Sequence, residues 1–153
     1  MSRILVVLLA LLCLSGCGGG EPSVGVANPM EQMETLEAIN AKIGCAMHPP
    51  EGFSTENESF YVINTQTNVG QYRFDADGIT YTLRAAATIE DISGIYLTDG
   101  TFGQVADQTG SDTLTFDEGQ CTRWFVGGMQ YTLHSSCTDP NTNALLKMRE
   151  ALQ

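Results

Sequence analysis

Residues 69–83, VGQYRFDADGITYTL, decide the fold. Tyr72 and Phe74 alternate with Gln71, Arg73 and Asp75. Beyond the DADG turn, Ile79, Tyr81 and Leu83 alternate with Thr80, Thr82 and Arg84. A period of two is the strand period, in which successive side chains take opposite faces. A turn centred on either Ala76-Asp77 or Asp77-Gly78 leaves both apolar sets on the same side. The stretch therefore predicts an antiparallel hairpin with one face buried and the other wet.

Working outward, Phe60 to Asn64 (FYVIN) reads as the preceding strand, joined through the polar turn TQTN. Further on, CTRWFVGGMQYTLHSS reads as a second hairpin with Gly127-Gly128 as its two-residue turn. That register sets Val126 against Met129, Trp124 against Tyr131 and Thr122 against Leu133 on an apolar face. The alternate face, with Arg123, Phe125, Gln130 and Thr132, is mixed. Thr113 to Phe116 is a candidate short strand between the hairpins.

Helices flank this β region. Thr35 is placed to cap a short helix carrying Leu36, Ile39 and Ile43 on one stripe, with Gly44 ending it; a start as early as Met30 stays open. Pro49-Pro50 forbids regular structure, and EGFSTENES reads as a polar loop. Asp139-Pro140 opens a last helix to about Leu152, with Leu145, Met148 and Leu152 as its apolar stripe. The expected class is α+β: an antiparallel β-sheet meander with N- and C-terminal helices packed on one face, forming a single domain over residues 30–153.

The chain opens with LVVLLALLCLSGCGGGEP at residues 5–22. Arg3 precedes the apolar run Ile4 to Leu14, and Ser15 and Gly16 close it, which is the pattern of a secretory signal over residues 1–16. Eleven helical residues rise only about 16 Å, too short to span a bilayer. Leu14-Ser15-Gly16-Cys17 is similar to the lipobox of bacterial lipoproteins. The resemblance implies cleavage between Gly16 and Cys17 and diacylglyceryl attachment at the Cys17 thiol. Cys13 lies inside the apolar run and leaves with the signal. Two or three acyl chains, at about 0.8 kcal/mol per buried methylene, anchor a protein durably in the cell membrane. Residues 17–29 then form a lipid-anchored flexible tether, rich in small residues and proline. Fully stretched it reaches about 40 Å, with a mean span nearer 20 Å.

The 153 residues carry 18 acidic and 7 basic side chains, a net charge of −11. Beyond the signal the balance is six basic against 18 acidic, or −12. No Lys/Arg cluster offsets it, which excludes nucleic acid as a partner and leaves lipid as the attractive membrane contact.

The runs NPMEQMETLEAINAKIG, YRFDADGITYTLRA and EDISGIY, with the closing WFVGGMQYTL…ALLKMREAL, resemble a family of small lipoproteins of Gram-positive gut bacteria. They are similar in turn to an uncharacterised extracytoplasmic domain found on anti-sigma-factor ectodomains. The likeness covers most of the chain after the signal and rests on core aromatics, turns and a terminal helix. It implies no catalytic or binding residues, and Cys45, Cys121 and Cys137 lie outside its pattern.

Export permits disulfides. Cys121 falls opposite His134 on the mixed face, whereas Cys137 has the parity of Leu133 and Tyr131. On opposite faces and three residues out of register, these two cysteines are separated by roughly 10 Å. Alternation with Ile43 and Met47 puts Cys45 towards the core. The pairing favoured is Cys45 with Cys137; Cys121 with Cys137 through a bulge, and no bridge at all, stay open. The anaerobic habitat that the resemblance implies favours unbridged thiols.

Sequence motifs for chemistry are sparse. Cys121 beside His134 is a thiol next to an imidazole, the start of a thiol-dependent site, but it has no orienting third group or oxyanion hole in the sequence. Asp75 and Asp77 echo a calcium loop, yet its twelfth position is Ala86 where a glutamate is needed. Asp117-Glu118-Gly119 reads as an acidic turn. His48, beside Met47, is a weak soft-metal ligand. Neither a metal site nor a cofactor is expected.

The function expected is therefore that of a non-enzymatic, membrane-anchored extracytoplasmic lipoprotein, a binding domain or envelope component. Its wet face, Gln71, Arg73, Thr80, Thr82 and Arg84, or the EDISGIY segment, would meet a protein or small ligand. The alternatives are a thiol-dependent envelope enzyme using Cys121 and His134, and an inhibitor or sensor domain that binds an envelope protein.

Overall fold

A computed structural model describes residues 29–95, 111–116, 119–139 and 143–153, together with the backbone alone for most of 111–116. The signal, Cys17 and the tether up to residue 28 lie outside the described residues, as do Pro140, Tyr96 of EDISGIY, and Asp117 and Glu118.

The described chain is α+β and mostly sheet. Its strands are β1 (Met30–Met33), β2 (Glu56–Ile63), β3 (Val69–Ala76), β4 (Ile79–Ala86), β5 (Ser111–Phe116), β6 (Gly119–Val126) and β7 (Met129–Ser135). Two helices, α1 (Leu36–Ile43) and α2 (Ala144–Ala151), complete it. The seven strands form one antiparallel sheet in the order β1-β2-β3-β4-β7-β6-β5.

The first hairpin turns on Asp77-Gly78, which settles the choice between two centres. Ala76 pairs with Ile79, Phe74 with Tyr81 and Tyr72 with Leu83. Asp77 and Gly78 have φ of 50° and 75°, and Gly127 and Gly128 have 59° and 83°. Two positive φ values in a two-residue loop make a type I′ turn, whose twist matches that of the strands it joins. The second hairpin has the register expected of it, with Trp124 opposite Tyr131 and Cys121 opposite His134.

Four elements depart from the sequence reading. Strand β2 begins at Glu56, so the exposed Glu56, Asn57 and Glu58, read as polar loop, extend the strand along β3. The meander is interrupted once: β4 pairs with β7, and the chain between them reaches the far edge at β5 before returning through β6. Local alternation fixes each hairpin but not which hairpin edges meet. Met30–Met33 forms an edge strand on β2, not an early helical turn. The last helix begins at Ala144, five residues after Asp139, with Asn143 at its cap and no side-chain hydrogen bond there.

Along the apolar side of the hairpins runs a stack of rings. Phe60, Tyr72, Phe74 and Tyr81 follow one another at centroid separations of 5.3, 4.7 and 5.5 Å, and Trp124 lies 5.5 Å from Tyr131. Leu36 and Ile39 of α1 and Leu145, Met148 and Leu152 at α2 belong to the same buried cluster. Thr35 caps α1 by accepting from the Ala38 amide at 3.2 Å, and Gly44 ends it in the left-handed region at φ 71°. Where α1 crosses β3, Gly70 allows close approach: a Cβ there would sit 2.5 Å from Ile39 Cγ2 and Ile43 Cδ1.

Candidate functional site

The opposite face of the sheet is polar in sequence, but much of it is dry. Gln71, Arg123, Gln130 and Thr132 are all buried. This corrects the expectation of a wet face on which Gln71 stands beside Arg73, Arg84, Thr80 and Thr82. Arg73 is exposed and Thr80, Thr82 and Arg84 are half-buried, whereas Gln71 is 7 % exposed. Over Gln130 and Arg84 lies the segment 87–95 after β4, which holds all of EDISGIY except Tyr96.

Side chains rooted in the sheet hold this segment down. Gln130 Nε2 donates to the carbonyls of Thr88 at 2.9 Å and Glu90 at 2.8 Å. Arg84 donates through Nε to Gln71 Oε1 at 2.9 Å and through Nη1 to the Ile92 carbonyl at 3.1 Å. Gly94, at φ 70°, rests on the guanidinium so closely that a Cβ there would lie 1.9 Å from Arg84 Nη1. The segment also folds on itself, with the Ser93 amide donating to Asp91 Oδ1 at 2.8 Å and the Glu90 amide to Thr88 Oγ1 at 3.1 Å. Ile92 packs with Val69, Ala86 and Ile63 in a second small apolar cluster. Buried polar groups are tolerated when hydrogen-bonded, and here they are spent on fixing a loop.

Between this segment and the β2–β3 turn lies a cavity of about 290 Å³. Arg84, Glu90 and Asp91 bring its charges, Thr65 to Thr67 form the opposite lip, and Ile63 and Val69 line its apolar part. The turn is close to where the chain enters the domain, because the Asn64 amide donates to the Pro29 carbonyl at 2.7 Å.

The other residues singled out in sequence are dispersed. Cys121 does face His134 across β6 and β7, but it is fully buried, and its thiol is pushed up to about 12, chiefly by burial and then by the nearby Asp91 carboxylate. A reactive thiol needs the reverse shift, so the environment disfavours Cys121 as a nucleophile.

Cys45, Cys121 and Cys137 are all unbridged, contrary to the favoured Cys45–Cys137 pairing and to the Cys121–Cys137 alternative. Cys45 lies near Tyr131 and Cys137 near Tyr81, each close enough to raise the phenol after burial has done so. Cys45 Sγ instead donates to Asn40 Oδ1 at 3.1 Å.

Asp75 braces the first hairpin. It accepts from Thr80 Oγ1 at 2.7 Å and Asn57 Nδ2 at 2.8 Å, and these bonds hold its carboxyl below the usual range. Asp77 is in the turn itself. Met47 is buried in the core while His48 Nδ1 meets the Pro49 carbonyl at 3.0 Å, so the two do not form one ligand pair. Sequence reasoning missed Gln130 and Gln71 as structural anchors and missed the cavity. The available signal was the run of polar residues at alternate positions on two adjacent strands, a pattern equally suited to solvent.

No family model matches this chain, and no curated protein or solved structure is significantly similar to it.

Proposed function

We propose that this protein is a lipid-anchored extracytoplasmic domain that acts by binding and not by catalysis. The observation that carries the reading is Leu14-Ser15-Gly16-Cys17 at the end of an apolar run behind Arg3, followed by a small-residue tether. Cys17, given its diacylglyceryl group before cleavage at Gly16, holds the acidic domain outside the membrane. The resemblance to small lipoproteins and anti-sigma-factor ectodomains points the same way. Among the described residues no helix is long and apolar enough to cross a membrane, and an acyl anchor needs none.

The binding part of the reading draws support from a cavity whose polar walls are fixed in advance, and from the burial of the Cys121 thiol that faces His134. The architecture we favour is a single layer of sheet with α1 and α2 together on its aromatic side. Leu36, Ile39, Leu145 and Met148 sharing one cluster supports it. The cavity then opens on the other side, towards the partner.

Mass spectrometry of the exported protein tests the anchor: the expected product begins at Cys17 and carries a diacylglyceryl group. Cys17→Ser is expected to leave the signal uncleaved and the thioether-linked lipid absent. An exported protein with an unmodified Cys17 that partitions into the aqueous phase of a detergent extraction would falsify the reading.

A further inference from the structure

Resting on the lipid-anchored reading, we propose that the domain does not swing free on its leash. It sets one end of its sheet, the end where the leash enters, against the bilayer surface, with Ile89 and Val126 dipping among the lipids.

The strand pairings define that end. Met30 pairs with Ile63, Ile63 with Val69, Gly70 with Ala85, Ala86 with Gln130, and Val126 with Met129. Strands β1, β3 and β7 therefore start, and β2, β4 and β6 finish, at one level. Four large apolar side chains are exposed among the described residues, and three of them are here: Met30 at 38 %, Ile89 at 39 % and Val126 at 55 %. Val126 flanks the Gly127-Gly128 turn, and Ile89 sits between the Thr88 and Glu90 carbonyls that accept from Gln130, the second residue of β7. The fourth, Leu146, is on α2. Apolar residues scattered singly over a surface are ordinary. Their gathering at the end that carries the leash points to a lipid surface.

The chain itself selects the occupant. Residues 17–28 separate the acylated Cys17 from Pro29, and the Asn64 amide ties Pro29 to the β2–β3 turn. A short leash holds that end near the head groups at an effective concentration on the order of millimolar, so a contact too weak to recruit a free domain is still populated.

Charge agrees with this orientation. The two turns at this end, residues 64–68 and Gly127-Gly128, contain no charged residue, and Glu31 is paired with Lys42. Glu90 and Asp91 are exposed on the cavity side, where they oppose an anionic bilayer but not a zwitterionic one. The other end, roughly 25 Å away along the eight residues of β3, gathers Glu56, Asp75 and Asp77 and is the end an anionic leaflet repels. The sheet then stands on its end, and the cavity opens sideways above the head groups.

The test places the lipidated chain in vesicles of phosphatidylcholine brominated on its tails, with unbrominated vesicles as reference. Trp124, the single native tryptophan, is buried and supplies the baseline. Val126→Trp is expected to be quenched beyond that baseline, and Glu56→Trp at the far end is not; both positions are exposed on strands, so neither change threatens the core. Adding Ile89→Asp to Val126→Trp is expected to remove most of the extra quenching, because a charge does not follow into the apolar layer. In these zwitterionic vesicles added salt is expected to leave the quenching in place, since an apolar contact is not screened. Equal quenching of Val126→Trp and Glu56→Trp, greater quenching of Glu56→Trp, or none of either overturns the proposal. The same variants carrying Cys17→Ser and a polyhistidine tag ahead of residue 17, held on nickel-chelating lipid, repeat the measurement on an artificial leash. Quenching of Val126→Trp there, with a natural chain that does not float with vesicles, would fault the anchor while upholding the docked end.

Discussion

Cys121 has no measurable exposure, and burial together with the Asp91 carboxylate raises its thiol to about 12. At mildly alkaline pH it is almost wholly protonated and out of reach. Cys45 and Cys137 are only half-buried. Alkylation of the folded protein is therefore expected to modify Cys45 and Cys137 and to spare Cys121 until denaturant is added, as peptide mapping would read. Asp75 gives a prediction of the opposite sign of shift. Hydrogen bonds from Thr80 and Asn57 depress its pKa in the folded state. A depressed carboxyl contributes stability above its unfolded pKa, and that contribution fades as pH falls through the folded value. Asp75→Asn is expected to lower the urea midpoint near neutral pH, and its gap to the wild type to narrow as pH falls below the ordinary carboxylate range. A gap that persists in acid would assign the effect to lost geometry, not charge.

At the scale of elements, sequence periodicity read well where a strand alternates and badly where it does not. Both hairpin registers, the Thr35 cap, the Gly44 stop and the stripe of Leu145, Met148 and Leu152 follow from local rules. The four residues MEQM have no such pattern, and β1 is made by its pairing with β2. The dry polar face was illegible for a related reason. The segment over it, ATIEDISGI, has neither strand nor helix period, and whether Gln130 and Arg84 meet water or a carbonyl depends on where that loop lands. The packing of α1 on β3 is more exacting than any helix stripe reveals. Gly70→Ala puts a methyl 2.5 Å from both Ile39 and Ile43, and is expected to cost about 1–3 kcal/mol in chemical denaturation. Adding Ile43→Val should recover part of that loss; no recovery would point to backbone strain on β3.

For the whole molecule, the sheet has an aromatic face and a polar one. The rings share one buried cluster with residues of both helices, while a loop lies on the polar face and leaves a pocket at its margin. The adjacency of β4 and β7, on which this division depends, joins residues some fifty positions apart, and no local motif encodes it. One further consequence concerns mechanics. On the lipid-anchored reading the leash continues directly into β1, whose four residues each pair with β2, and the Asn64 amide holds the Pro29 carbonyl at the point of entry. The cavity lies at this same end of the sheet, so tension between a captured partner and the bilayer would fall first on the Pro29–Asn64 and Met30–Ile63 rungs. A leash rooted there makes that terminal contact the point at which any load on the anchor meets the fold.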